Sequence, residues 1–301
     1  MLNVYEQIDR NKRRSFVIMF LFVVFITLTV WAFSQILDYG LGMVGFALIL
    51  AGIMSFSSYW WGDKLILALS QARPADRKKD FHFFTVAENL AMAAQIPMPR
   101  LYVIKDTATN AFATGRDPQH AVVCATTGLL AKLDRTELEG VVAHELSHVK
   151  NYDTRLMSVV VILVGMVTLL ADWFLRGTQI GGRGRESKAG NLKAALFVVG
   201  LLLVLLSPLI ARLIQLAISR RLEFLADASA TKLTRFPDGL ARALEKISAD
   251  KEPLEAANKA TAHLYIANPL KNRHDKIGWF ANLFNTHPPV GERIKALRQM
   301  S

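Results

Sequence analysis

The chain is 301 residues long, 52% hydrophobic and only 20% charged, with a formal charge of +11 and a single cysteine. That apolar share, with a positive mean hydropathy, excludes an ordinary soluble protein and points to the membrane. Cys124 standing alone excludes an intrachain disulfide, and no nucleic-acid-binding motif accompanies the basic balance, so no nucleic acid partner is expected.

In chain order, Arg10, Lys12, Arg13 and Arg14 precede 23 uncharged residues, 15–37, and a second uncharged run of 24 covers 39–62. Each is long enough to cross a hydrocarbon core of about 30 Å as a helix. The short connection near residues 38–41 makes them a hairpin. No small-residue cleavage site follows the first run, so it reads as an uncleaved anchor. Basic residues before the first span, and none in the hairpin loop, place the N-terminus and everything after Gly62 in the cytoplasm. The positive charge suits surfaces lying against anionic lipid.

After Gly62 the apolar spacing predicts a helix over 81–95 that ends before Ile96-Pro97-Met98-Pro99. Short strands are expected over 100–104, 110–114 and 120–125, with Gly115-Arg116-Asp117-Pro118 as a turn and Cys124 as a buried thiol. Asp134 and Glu137 form a capping-box pattern that opens the next helix. Apolar runs at 156–175 and 194–211 predict a second hairpin, either transmembrane or partly inserted; a hairpin buried in a soluble core fits the same lengths. The intervening loop, 176–193, carries five Lys or Arg residues, which departs from the positive-inside pattern and leaves the depth open. Helix-like sequence resumes over 222–233, and a short helix starts near Val290 behind Pro288-Pro289. The fold class is mostly α with a small β-sheet (α+β). Four segments follow: an N-terminal membrane hairpin at 1–62, the first half of a cytoplasmic catalytic domain at 63–155, the second hydrophobic hairpin at 156–218, and the second catalytic half at 219–301.

The predicted helix after Asp134 carries His144-Glu145-Leu146-Ser147-His148. Two imidazoles four residues apart share a helix face and can reach one Zn²⁺, with a carboxylate between them. A polar face that happens to carry two histidines is the bland alternative. A hydrolytic zinc site needs a third protein ligand and an open position. Glu223 is the best candidate, with Asp227 four residues on and placed to accept the free N–H of a ligand histidine. A solvated acidic pair fits that spacing equally well. If the second hairpin crosses and returns, the helices entering and leaving it meet at one membrane face and bring His144, His148 and Glu223 together. Glu145 then sits where it can take a proton from water. Lys132, Asp134, Arg135, Lys150 and Asp153 flank the motif, so a water-accessible site is expected rather than one inside a span. The non-enzyme rival is a membrane scaffold with a structural zinc, against which Glu145 argues, since a closed structural site has no use for a free carboxylate.

Val142-Ala143-His144-Glu145-Leu146-Ser147-His148, Glu223-Phe224-Leu225-Ala226-Asp227 and Thr286-His287-Pro288-Pro289 occur in that order. Together they resemble the HtpX peptidases, bacterial membrane zinc endopeptidases whose catalytic core is similar to that of the CAAX prenyl proteases. The resemblance covers nearly the whole chain. It implies a zincin-like core on about four membrane helices and one zinc per chain held by His144, His148 and Glu223, with Glu145 as base. It further implies that His287 and Arg293 contact the reacting carbonyl or the substrate backbone. Asn110-Ala111-Phe112-Ala113 resembles the family's edge strand, where an extended substrate adds through Asn110, Ala111 and Phe112. The implied role is proteolytic quality control of membrane proteins under heat or envelope stress, at the inner membrane with the catalytic domain in the cytoplasm; a prenyl-protein endopeptidase is the alternative. On local grounds alone His287 is a structural histidine before a helix start, and Arg293 a surface arginine. His82, His120, His263 and His274 match no motif and read as surface or packing residues.

Overall fold

The computed structural model describes residues 4–36, 42–163, 220–255, 257, 261, 264–267 and 288–300. The hairpin connection at 37–41, His287 and the second hydrophobic hairpin beyond residue 163 lie outside the described residues.

Two long apolar runs become two long helices, α1 (Val4–Ile36) and α2 (Gly42–Leu69). They pack antiparallel: Phe16 stacks on Tyr59 with ring centroids 6.2 Å apart, and Phe22 shares a buried cluster with Ala51. Residues 44–69 are long and apolar enough to cross a membrane, with a mean hydropathy of 1.4. Only 22% of their most apolar stretch is buried inside the protein, so this is not the core helix of a globular domain. α2 also runs seven residues past Gly62, where a boundary was expected. The reason is packing: Ile66 and Leu67 are buried in the cluster that holds Ile104, Phe112 and Val122 of the following sheet.

That sheet is small and mixed. Strands β1 (Arg73–Pro74), β2 (Arg100–Ile104), β3 (Ala111–Thr114) and β4 (Val122–Thr126) lie in the order β1-β2-β4-β3. β2 and β4 are parallel, and both outer pairings are antiparallel, which leaves β3 on an edge. The two-residue β1 has no periodicity that a sequence could reveal. β4 starts later than the expected 120–125 because Asp117 caps a 3-10 turn at Pro118–His120, accepting the His120 N–H. Gly115, at φ +130°, ends β3; a side chain there would meet the His120 carbonyl at 2.5 Å.

Both faces of the sheet are covered, which is why β3 and β4 read as continuous apolar runs. On one face Leu101, Val103, Ala113, Val123 and Ala125 pack against α3 (Phe81–Ala94), α4 (Thr127–Lys132) and α5 (Arg135–Lys150). On the other, Ile104, Phe112, Val122 and Cys124 meet the end of α2 and helical residues 153–163, here α6. The described start of the expected second hairpin is therefore buried against this sheet and the first hairpin. Helices α7 (Arg220–Thr234), α8 (Pro237–Ala249) and α9 (Val290–Arg298) complete the layer around α5. α8 crosses α5 so closely that a Cβ on Gly140 would lie 2.7 Å from the Leu240 nitrogen.

Candidate metal centre

α5 opens with the capping box that its sequence spells: Asp134 accepts the Glu137 N–H, and Glu137 reaches back to the Asp134 N–H. The fixed start sets the phase of the helix, and the phase puts His144, Glu145 and His148 on its buried side. α7 delivers Glu223 and Asp227 from its first two turns, both buried, to the same place.

Among the described residues, His144, His148 and Glu223 form one group whose possible ligand atoms all lie within 4.8 Å of one another. His144 Nε2 and His148 Nε2 are 3.2 Å apart. Glu223 oxygens lie 3.5 Å from His148 Nε2 and 3.7 Å from His144 Nε2. Nitrogens at about 2.1 Å from a tetrahedral zinc would sit roughly 3.4 Å apart, so these separations fit the edges of one zinc tetrahedron. The ring orientations fit as well. His144 Nδ1 lies 2.9 Å from Asp227 Oδ1, and His148 Nδ1 lies 3.0 Å from Asp153 Oδ2. With each carboxylate accepting an Nδ1–H, both Nε2 lone pairs face the common centre.

Asp153 is a residue of the candidate site that sequence reasoning passed over, as it served there only as a flanking charge. It sits five residues after His148 at the start of α6, off the α5 face, so no spacing rule selects it. Its other oxygen accepts the Asn11 side-chain N–H at 2.6 Å, and Asn11 also donates to the Asn151 carbonyl at 3.0 Å. A fully buried amide on α1 thus touches the carboxylate that orients a candidate ligand.

Arg293 is fully buried rather than a surface arginine. Its Nε and Nη2 donate to Asp227 at 2.9 and 2.7 Å, and Nη1 lies 3.2 Å from Glu223. The guanidinium is occupied in binding the two α7 carboxylates, and it lies behind the candidate ligands rather than among the residues lining the cavity beside them. β3 does line that cavity through Ala113, whose backbone N–H faces the Glu145 carboxylate and favours its charged form. Ala111 offers its carbonyl at the same free edge, where Ile266 N–H donates to it at 2.9 Å. Asn110, just before the strand, uses its side chain to bond the Ala267 carbonyl at 3.0 Å. The Phe112 side chain points into the opposite core, edge-on to Tyr265, and its backbone groups face β4 opposite Cys124, so the edge groups are those of Ala111 and Ala113.

The flanking charges led to the expectation of a water-accessible site. The structure corrects this: His144, Glu145, His148 and Glu223 are each 5% exposed or less. Leu264, Ile266, Thr154 and Met157 close over them, leaving a cavity of about 10 Å³, room for one water. Burial sets the protonation. It pulls His144 down to about 4, against the pull of Asp227. It acts the same way on His148, but the Asp153 hydrogen bond and the charge of Glu223 outweigh it and push that ring up to about 9. Glu145 is pushed up to about 7 by burial, with His148 opposing and Glu223 adding to the rise. A carboxyl poised near 7 beside a hydrolytic centre suits a group that must both accept and donate a proton. Of the other histidines, His82 is exposed and His120 pairs with Asp117 at 2.6 Å; His263 and His274 lie outside the described residues.

Two histidines four apart on a buried helix, a glutamate from a second helix and a free carboxyl between them define a metallopeptidase-type centre. The family model for peptidase family M48 matches residues 78–301, and the chain belongs to that family. It is 42% identical over 296 residues to a protein named protease HtpX homolog from Dictyoglomus thermophilum, covering 98% of this chain and 94% of that one. To the protease HtpX homolog of Tropheryma whipplei it is 43% identical over 299 residues, covering 99% and 98%. A crystal structure of Ste24p from S. mikatae overlaps 89% of this chain and 62% of its own, with 17% identity and a TM-score of 0.49.

Proposed function

We propose that the chain is a membrane-integrated, zinc-dependent endopeptidase whose centre lies at the cytoplasmic face of the inner membrane. The observation that carries this is the cage of His144 Nε2, His148 Nε2 and the Glu223 carboxylate, with Glu145 beside it. Those three residues would hold one zinc, which would supply Lewis acidity and lower the pKa of a bound water to about 7. Glu145 takes the proton from that water as it attacks the scissile carbonyl, and then hands the proton to the leaving amide nitrogen. Asp227 and Asp153 keep both imidazoles in the tautomer that presents Nε2. Arg293 holds Asp227 and Glu223 against each other's repulsion, and acts by positioning.

The substrate is an extended segment of another protein that adds to the free edge of β3. Ala111 C=O and Ala113 N–H are the edge groups it would bond. The first is now taken by the Ile266 N–H, so entry of a substrate strand displaces residues 264–267 from the edge. The contact of Asn11, on the long apolar helix α1, with Asp153 behind the centre supports membrane proteins as substrates; a quality-control role under stress and about four membrane helices belong to the same reading. His287, implied by family resemblance, completes the substrate contacts in this proposal.

Zinc content and casein cleavage of the purified full chain test the proposal. Wild type should cleave, lose cleavage with a chelator and regain it with Zn²⁺. Glu145→Gln should keep its zinc and lose at least about 100-fold in rate, the size of a missing general base. Full activity in that variant would overturn the mechanism.

A further inference from the structure

A groove of about 650 Å³ opens on the surface where α2 leaves its apolar stretch. Its floor is aromatic: Phe56, Trp60 and Trp61 are 56%, 41% and 51% exposed. Its rim is polar, with Asp63 and Lys64 from α2, Arg100 from the start of β2, and Arg116 and His120 from the turn between β3 and β4. Exposed tryptophans in a soluble surface would be costly, whereas at a membrane boundary their amphipathic rings are favoured. The level is marked a second time on the neighbouring helix, where Phe16 stacks against Tyr59 and the Arg155 guanidinium lies 4.8 Å from both rings. Arg155 is buried there, and its Nε and Nη2 have no hydrogen-bond partner.

The arginines on the rim are held in place. Arg116 lies over the Trp60 ring at 4.5 Å and pairs with Asp117 at 3.4 Å, and Arg100 pairs with Asp63 at 2.5 Å. Lys64 is exposed and has no ion pair among the described residues. The rim therefore keeps the positive charge of Lys64, beside two arginines held in place by Asp63 and Asp117, next to an apolar aromatic floor.

We propose that this groove binds the phosphodiester headgroup of an anionic phospholipid, with Arg116 and Lys64 on the phosphate and the upper acyl chains along Phe56, Trp60 and Trp61. The proposal rests on the reading of α2 as a membrane span. The groove's volume is that of a small-molecule site, and its make-up, a polar rim with Lys64 above and an aromatic floor below, matches a lipid crossing the interface and not a free anion. Because its rim joins α2 to β2 and the β3–β4 turn, a lipid there ties the catalytic part to the bilayer.

The test is native mass spectrometry of the full chain in detergent, in the Glu145→Gln background to prevent self-cleavage. The chain is titrated with phosphatidylglycerol, phosphatidylcholine or soluble glycerol phosphate. Retained lipid is counted for the parent protein, for Lys64→Gln and for Lys64→Gln with Arg116→Gln. The parent should retain one phosphatidylglycerol more tightly than the other lipid. Each cation removed should weaken retention about fivefold, the equivalent of about 1 kcal/mol per charge near an anionic surface. Equal phosphatidylglycerol retention in parent and variants would overturn the proposal. So would equal retention of phosphatidylcholine, which makes the groove merely apolar, or equal binding of glycerol phosphate, which makes it a plain anion site. If the double variant fails to fold, Lys64→Gln decides, since its side chain is exposed. Retention is counted independently of cleavage, so its failure leaves the peptidase reading standing.

Discussion

The two histidines of the candidate centre are supported by different parts of the chain. His144 is oriented by Asp227, which Arg293 clamps together with Glu223, and every one of these groups lies in the segment that matches the peptidase family. His148 is oriented by Asp153, which is in turn held by Asn11 on α1, outside that segment. One half of the cage is built by the catalytic helices alone, and the other reaches into the first long apolar helix. The lesson is that α1 does more than anchor: its buried amide completes the surroundings of a proposed zinc ligand. The charges differ as well. At neutral pH without metal, His144 is neutral and His148 carries a proton.

Four measurements would break or sharpen that contrast. Arg293→Ala should have the largest effect, because it leaves Glu223 and Asp227 buried and facing each other without a counter-charge. A loss of about 3–5 kcal/mol of stability is expected, read as a lower melting temperature, along with poor zinc retention. A variant as stable as wild type would remove the clamp from the account. Asp153→Ala should weaken zinc binding by about 10–100-fold while the fold survives, measured by competition with a chromogenic chelator. Unchanged affinity would make the His148 side indifferent to its orienting partner.

The third test uses pH. His148 must lose its proton to bind metal, so apparent zinc affinity should rise about tenfold per pH unit between pH 7 and 9 and then level off. Calorimetry in buffers of different ionisation enthalpy should find close to one proton released from this side at pH 7; none released would contradict the assignment. Asn11→Ala should have the smallest effect. It deletes a donor to Asp153 and should cost roughly a severalfold loss in zinc affinity, with restoration by Asn11→Gln only if the longer amide still reaches. An affinity identical to wild type would confine α1 to anchoring.

How much of this was legible in the sequence follows the same divide. The capping box at Asp134 and Glu137, the four-residue spacing of His144 and His148, and that of Glu223 and Asp227 are local patterns within one helix each, and they appear in the structure where their spacing put them. Asp153 and Asn11 meet across 142 positions of chain, and no periodicity joins a lone asparagine among basic residues to an aspartate in a later helix. Local sequence alone offers Arg293 as a surface arginine, because a nine-residue helix with Lys295 and Arg298 beside it looks solvated, and only the family resemblance drew it to the site; its burial against the α7 carboxylates is not something sequence spacing shows. Closure of the site was missed for a similar reason. The charges flanking the motif lie at the ends of α5, whereas the middle of that helix is sealed by Leu264 and Ile266, more than a hundred residues away.

Metal analysis of the purified full chain beside its Glu223→Ala variant bears most directly on the central claim. The account predicts one zinc per wild-type chain and a large loss of zinc in the variant, with α5 and its two histidines still folded. Zinc bound equally by both, or by neither at any added concentration, would contradict it.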